Sequence, residues 1–242
     1  MAYSIVIPSR NIANLTACVG ALRAAGETGR VMWVDDYDGP RDLPQRVLGH
    51  RCLHVSGEKP FCFARNINIG IRAADGDDVL ILNDDAILET VGGFRWMVAL
   101  MEDPLAAQYG ILACSTNVTG YPAQQRRGII AADGLTVESL IRRVDFAAFV
   151  AVLIPRRTID LVGLLDERFG GPGVYGGEDV DYCLRVQEAG LKVGVSDFCF
   201  VDHSKLASTF RPAHPENRAG GDIRESNRIG IKKWGDRWPF RN

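Results

Sequence analysis

Two pairs of adjacent aspartates are the first residues in this sequence whose types and spacing suggest chemistry. Asp84 and Asp85 come one residue after the apolar run DVLIL, and Asp35 and Asp36 come directly after the run RVMWV. Helix capping would explain one such aspartate, but paired like charges need a cation or hydrogen-bond donors to balance them. Carboxylates are preferred ligands of Mg²⁺ and Mn²⁺, which often share their coordination shell with substrate phosphates. The pairs therefore predict a phosphate-bearing, nucleotide-like ligand.

The elements that carry these aspartates read as a parallel sheet. Near-continuous apolar runs at YSIVIP, RVMWVDD, CLHV and DVLIL alternate with helix-like segments, which predicts an α/β domain with helices on both faces of the sheet. Ligands of such sheets bind beyond the carboxyl ends of the strands. We therefore expect Asp35, Asp36, Asp84 and Asp85 to lie on one edge.

The second half of the chain predicts a more mixed arrangement. The run from Val144 to Pro155 predicts one long strand, and KVGVS and FCFVDH predict two further strands. Between them the glycine-rich segment FGGPGVYGG leads into EDVDYCLRVQEAG, which predicts a helix ended by Gly190. No repeat or linker divides the sequence, so one domain is expected.

Composition and missing motifs exclude several classes of protein. The 242 residues are 46% hydrophobic and 24% charged with a net charge of −2, which is ordinary for a soluble globular protein and gives no general attraction to nucleic acid. No signal peptide or membrane-spanning run is recognisable, and the six cysteines are scattered without a CxxC pair, which predicts a reduced, cytoplasmic protein. The GxGxxG and GxxxxGK[ST] phosphate loops are both absent after the first strand.

The order of the motifs resembles family 2 glycosyltransferases of the GT-A fold. The motifs that follow one another as in that family are SIVIPSRN, VDD, ARNINIG, GDDVLILNDDA, GLLDERF, GGEDVDYCLRVQEAG, VDH and KKWG. The resemblance is greatest to the soluble, non-processive branch of the family, which contains rhamnosyl- and galactofuranosyl-transferase-like enzymes. It implies a single domain over residues 1–242. Within that domain it implies a nucleotide-binding half (1–115), an acceptor and catalytic half (116–203) and a basic C-terminal tail or lid (204–242).

The resemblance also implies roles for individual residues. It assigns Asp179 as the catalytic base and Asp85 and His203 as ligands of Mn²⁺ or Mg²⁺. The residues that it assigns to the nucleotide sugar are Pro8, Arg10, Asp35, Asp36, Arg65, Asn83, Asp84 and Gly177. Asn83 departs from the family, because it stands at the first position of the DxD motif. Acids are also common in the first turn of a helix, which gives Asp179 a purely structural alternative.

The implied activity is metal-dependent, inverting transfer of a sugar from a nucleoside diphosphate to an acceptor hydroxyl. A carboxylate paired with a base N–H favours UDP or dTDP as the carrier and leaves guanine open. The acceptor is expected to be a glycan, a lipid-linked sugar or, as an alternative drawn from the basic tail, a polyanion such as DNA. A nucleotidyltransferase and a non-catalytic nucleotide-sugar binding module remain the other classes. His50, His54 and His214 show no pattern that assigns them a role.

Overall fold

The computed structural model describes residues 2–35, 52–126, 136–171, 174–206 and 223–240. Within these ranges the strands are β1 Tyr3–Ser9, β2 Arg30–Asp35, β3 Cys52–Ser56, β4 Asp78–Leu82, β5 Ile87–Leu88, β6 Tyr109–Thr116, β7 Ile141–Val144, β8 Ala151–Ile154 and β9 Lys192–Asp202. The helices are α1 Ile12–Ala24, α2 Phe63–Ala73, α3 Gly93–Glu102, α4 Val137–Leu140, α5 Arg156–Val162, α6 Glu178–Glu188 and α7 Ile223–Trp234. None of these described helices combines the length and apolar character that a bilayer crossing requires.

The strands form one mixed sheet in the order β3-β2-β1-β4-β8-β6-β9-β5, with β7 added beside β9. The first four neighbours are parallel, β8 is antiparallel to both β4 and β6, and β6 is parallel to β9. The predicted single α/β domain, with a sheet flanked by helices and a mixed second half, is confirmed. The carboxyl ends of β1, β2 and β4 therefore share one edge.

Both faces of the sheet are buried, which explains the near-continuous apolar strands. Alternate residues of β1 point to opposite sides, so that Ile5 and Ile7 pack in one cluster with α1 and α3 while Val6 packs in the other with α2 and α6. Because the central strands β1, β4, β6 and β8 are buried on both faces, an alternating polar pattern there would leave polar groups in the core. We call the edge formed by the carboxyl ends of β1, β2 and β4, which carries Ser9, Asp35 and Asp84, the polar edge.

The single strand predicted from Val144 to Pro155 is wrong over its middle. The chain forms β7 up to Val144 and β8 from Ala151, and the residues between them are irregular. The side-chain amide of Gln124 replaces a strand neighbour there: it accepts from the Ala148 amide at 2.8 Å and donates to the Ala148 carbonyl at 3.3 Å. A buried segment can remain apolar without strand geometry when side chains satisfy its backbone.

The two last strands predicted from KVGVS and FCFVDH are one continuous strand. β9 runs through both segments, and its pairing with β6 shifts register between Cys114, which lies opposite Ser196, and Ser115, which lies opposite Phe200. A bulge of this kind keeps one strand in the sheet while it changes direction. The strand ends at Asp202 beside Ile87, and this brings His203 to the polar edge.

Candidate active site

The ends of three neighbouring strands bring two of the predicted aspartates to one edge. Asp35 at the end of β2 lies in register with Ser9 at the end of β1, and the Ser9 hydroxyl donates to Oδ2 of Asp84 at 2.5 Å. Asp84 follows β4, the other neighbour of β1. Asp35 and Asp84 are therefore two inter-strand spacings apart, about 10 Å.

Asp84 is buried, with only 3% of the residue exposed, so its carboxyl group is poorly solvated. Burial raises the pKa of Asp84 to about 7, and the charge of Asp85 adds to this shift, while the hydrogen bond from Ser9 and the charge of Arg10 oppose it. A carboxyl group with this balance ionises more readily when positive charge is brought beside it. The site is therefore suited to a cationic partner.

Asp85 and His203 form a contact that fits a metal ion. The His203 Nε2 lies 3.0 Å from Asp85 Oδ1, and the His203 Nδ1 lies 2.9 Å from the Val118 carbonyl oxygen. A carbonyl can only accept, so Nδ1 carries a proton, and Nε2 either donates a second proton to Asp85 or, in the neutral imidazole, turns its lone pair toward the carboxylate. Two acceptors that face each other require a second proton or a cation between them.

The donor set is also chemically suitable for Mn²⁺ or Mg²⁺ bound together with a substrate. Carboxylate oxygen and imidazole nitrogen both serve as ligands of divalent first-row metals. Among the described residues, no cluster of three or more His, Cys, Asp or Glu side chains is arranged to hold an ion. Asp85 and His203 would thus supply part of the coordination shell and leave the remainder to phosphate oxygens and water.

Asp179 lies in the first turn of α6 with its carboxyl group largely removed from solvent. Its Oδ1 accepts from the Val180 amide at 2.8 Å, as expected for an acid at a helix start, and its carboxylate also accepts a hydrogen bond from the Tyr121 hydroxyl. Burial raises the pKa of Asp179 against the effect of these donors. An aspartate with a raised pKa is better suited to accept a proton near neutral pH than an ordinary one.

Glu178 is a second acid at this helix start. Burial and the neighbouring Asp179 both raise the pKa of Glu178, and its buried Oε2 has no hydrogen-bond partner among the described residues. Burial raises the pKa of the half-exposed Tyr175 hydroxyl, and the charges of Glu178, Asp179 and Asp85 add to this shift.

The predicted Gly177 has a packing role that explains its residue type. Its φ is +93°, and a Cβ at this position would lie 2.3 Å from the Ser226 hydroxyl oxygen and 2.8 Å from the Phe169 ring. Ser226 belongs to α7 and donates to the Gly176 carbonyl at 2.7 Å. The close contact of α7 with the segment before Asp179 therefore requires glycine there.

The remaining residues predicted for the nucleotide sugar occupy different positions. Pro8 is buried in β1 opposite Val34, and Arg65 donates to the Glu58 carbonyl at 3.0 Å and lies 3.6 Å from the Glu58 carboxylate. Asn83 keeps a buried Oδ1 with no hydrogen-bond partner in the described part of the chain, which is suited to a ligand donor. Asp36 lies outside the described residues.

Three contacting residues were missed by the sequence reasoning: Ser9, Tyr121 and His54. The His54 Nε2 lies 3.0 Å from Asp35 Oδ2, while Ser9 and Tyr121 bond to the acids described above. Ser9 lies within the SIVIPSRN motif, but nothing in that motif assigns it a contact with Asp84, and no local motif marks Tyr121 or His54. The register of β3 beside β2 is what places His54 near Asp35, and this register is absent from the sequence pattern.

Comparison with known proteins identifies similar sequences and folds. Residues 4–154, more than half of the chain, match the family described as glycosyl transferase family 2. No curated protein sequence matches the chain. The family match covers the strand edge with Asp35, Asp84 and Asp85, and it ends before Asp179 and His203.

Three solved structures share the fold at low sequence identity. GalNAc-T7 with UDP, GalNAc and Mn²⁺ is 15% identical with a TM-score of 0.63, over 84% of this chain and 44% of that one. The mannosyltransferase PcManGT from Pyrobaculum calidifontis, with GDP-Man and Mn²⁺, is 13% identical with a TM-score of 0.61, over 83% and 56%. S. aureus TarS is 14% identical with a TM-score of 0.56, over 96% and 42%. The chain thus spans about half the length of each, and identities this low establish the fold alone.

Proposed function

The chain belongs to glycosyl transferase family 2, and from this premise we propose that it moves a sugar from a nucleoside diphosphate to an acceptor hydroxyl, with a divalent cation and inversion at the anomeric carbon. The observation that carries the proposal is the row of polar groups along the strand edge, from Asp35 through Ser9 to Asp84. Its length of about 10 Å suits a ligand that places a base at one end and phosphates at the other.

The metal part of the proposal rests on the contact between Asp85 and His203. These two side chains would hold Mn²⁺ or Mg²⁺, and Asp84 lies beside them with a carboxyl group that responds to positive charge. A bound cation of this kind supplies Lewis-acid stabilisation of the negative charge that develops on a departing diphosphate. Asn83, through its buried Oδ1, would accept a hydrogen bond from a ribose hydroxyl.

The acceptor side of the proposal rests on Asp179. Its carboxylate would accept the proton of the attacking hydroxyl, and its raised pKa matches that task. Tyr121 would hold the carboxylate in place through its hydrogen bond. A displacement that uses one base and no covalent enzyme intermediate inverts the anomeric carbon, which is the course that we propose.

The donor class draws further support from proteins of the same fold. Two structures with this fold contain Mn²⁺ together with UDP or with GDP-Man. A nucleoside diphosphate as carrier agrees with both, whereas the base differs between them. The acceptor, whether a glycan, a lipid-linked sugar or a polyanion, is left to experiment because the chain spans only part of those proteins.

The proposal is tested by measuring release of nucleoside diphosphate from UDP-, dTDP- and GDP-sugars in the presence of Mn²⁺. We expect at least one donor to be turned over, and Asp179→Asn to lower that rate at least about a hundredfold while UDP affinity stays within about threefold. Glu188→Gln, at the other end of α6, is the matched control and should retain the rate. Unchanged turnover by Asp179→Asn would contradict the assignment of the base, and the absence of turnover and of nucleotide binding would contradict the proposed function.

A further inference from the structure

His54 contacts Asp35, the aspartate at the end of the polar edge where we propose that the nucleobase binds. It lies in β3 in register with Trp33 of β2, and its Nε2 is 3.0 Å from Asp35 Oδ2. The imidazole also packs on the Trp33 indole, with ring centroids 4.7 Å apart and planes tilted by 43°. Because side chains alternate along a strand, Trp33, Asp35 and His54 lie on the same face of the sheet.

This contact is well shielded and fixed in position. The side chain of Asp35 is 4% exposed and that of His54 is 19% exposed, while the Trp33 Nε1 donates to the Ser9 carbonyl at 2.9 Å. The imidazole is thus supported by an indole that is itself bonded to β1. Shielded hydrogen bonds to a charged group are stronger than those in water, so Asp35 Oδ2 is committed to His54.

The bond of Asp35 Oδ2 to His54 matters because nucleobases differ in the number of N–H donors that they present to a carboxylate. Uracil and thymine offer a single ring N–H between two carbonyls, which one carboxylate oxygen satisfies. Guanine offers a ring N–H and an adjacent amino N–H on the same edge, which bond best to both oxygens of a carboxylate at once. A carboxylate whose Oδ2 already accepts from an imidazole must give up or share that bond to receive guanine in this way.

We propose that His54 is a specificity-determining residue that selects a uracil or thymine nucleotide over a guanine nucleotide by occupying Asp35 Oδ2. This inference rests on the proposed function, because it requires that the base of the donor lie at Asp35. It goes beyond that function by naming the class of donor and a residue that chooses it. Selectivity here arises from a penalty on the wrong base as much as from affinity for the right one.

The variant His54→Phe separates the hydrogen bond from the packing. Phenylalanine preserves a ring on Trp33 and removes the nitrogen that bonds to Asp35, whereas His54→Gln preserves a donor. Leu53→Ala is the matched control, because Leu53 is the preceding residue of β3, lies on the opposite face and is 44% exposed. A role in packing alone would make the phenylalanine variant equivalent to the wild type.

The test is calorimetric titration of each protein with UDP, dTDP and GDP in the presence of Mn²⁺. We expect the wild type to bind UDP at least about tenfold more tightly than GDP, which corresponds to about 1.4 kcal/mol. His54→Phe should reduce the ratio of the affinity for UDP to the affinity for GDP at least about fivefold, which is roughly the effect of losing one hydrogen bond. His54→Gln and Leu53→Ala should leave this ratio of affinities within about twofold of the wild-type value.

Failure of this inference can be distinguished from failure of the proposed function. If the wild type binds UDP and GDP equally, or if His54→Phe folds and retains the wild-type ratio, the role of His54 is wrong and nucleotide binding still stands. If the phenylalanine variant does not fold, His54→Leu, which also lacks the donor, takes its place in the same titration, and a wild-type ratio of affinities in that variant would equally overturn the role of His54. If none of the three nucleotides binds the wild type, the proposed function itself is overturned.

Discussion

The side chains of Asp85 and His203, which are 118 residues apart in the sequence, meet with Oδ1 and Nε2 separated by 3.0 Å. The Val118 carbonyl fixes the proton of His203 on Nδ1, so the nitrogen that faces Asp85 is the one that can bind a metal. Asp85 follows β4 and His203 follows β9, and the pairing of Ile87 with Asp202 brings the two strand ends together. The sheet therefore assembles the pair before any ligand arrives.

Removal of the imidazole should weaken nucleotide binding only when metal is present. For His203→Ala we expect the affinity for UDP in Mn²⁺ to fall at least about tenfold, because one of the two proposed metal ligands is lost. The affinity without metal should change little. Isothermal titration with and without Mn²⁺ measures both, and Lys192→Ala, at the other end of β9, should resemble the wild type. An equal loss in the two conditions would show that His203 acts without metal.

Removal of the hydroxyl of Tyr121 should shift the pH dependence of the reaction. The hydrogen bond from Tyr121 lowers the pKa of Asp179 against the larger opposing effect of burial, so Tyr121→Phe raises that pKa further. As the proposed base, Asp179 would be active only when deprotonated, and the acid limb of the kcat/KM profile should therefore move to higher pH by about 0.5–1 pH unit.

The control for this prediction is a tyrosine on the same helix as Asp179. Tyr182 donates to the Gly163 carbonyl at 3.2 Å, and Tyr182→Phe should leave the acid limb where it is. A profile for Tyr121→Phe that only falls in height, with its acid limb unmoved, would contradict the link between Tyr121 and Asp179.

Neutralising Asp181 should destabilise the contact between α6 and α7. Its side chain is fully buried and accepts from Arg185 Nε at 3.0 Å and Trp234 Nε1 at 2.8 Å, with Lys233 Nζ at 2.6 Å. Asp181→Asn would remove the carboxylate charge from Arg185 and leave Lys233 paired with Asp166 alone, so we expect the free energy of unfolding to fall by about 2 kcal/mol.

Urea denaturation followed by tryptophan fluorescence measures this loss, since Trp234 belongs to the same contact. The matched control is Asp160→Asn, because Asp160 is 66% exposed and lies 3.9 Å from Arg156 across one helical turn. Its loss should cost less than about 0.5 kcal/mol. Equal stability of the two variants would contradict the importance of the Asp181 cluster.

The parts of the fold that could be predicted from the sequence are those determined by short stretches of neighbouring residues. Apolar runs that end in acid identified β2 and β4, and the glycine-rich approach to Glu178 identified the start of α6. The run from Val144 to Pro155 misled for a physical reason: burial alone makes a segment apolar, and Gln124, far from it in sequence, removes its strand geometry by bonding to Ala148.

Some residues of the candidate site could likewise be predicted from local motifs, whereas others are brought there only by the fold. Asp84 and Asp85 lie in a local motif, and the strand ends place Asp84 at the polar edge with Asp35. His54 and Tyr121 lie beside acids only because of strand register and of a loop that returns from β6. Neither residue belongs to a recognisable sequence motif. For this reason His54 could not be assigned a role from the sequence, although it contacts Asp35, the acid predicted to bind the nucleotide.

We propose that the acids of this edge bind a divalent cation and, through it, a diphosphate. Isothermal titration of the wild-type protein with UDP, first in Mn²⁺ and then after removal of metal with a chelator, tests it most directly. We expect the affinity for UDP to be at least about tenfold higher in Mn²⁺, which corresponds to about 1.4 kcal/mol or more. The same affinity in both conditions would contradict it.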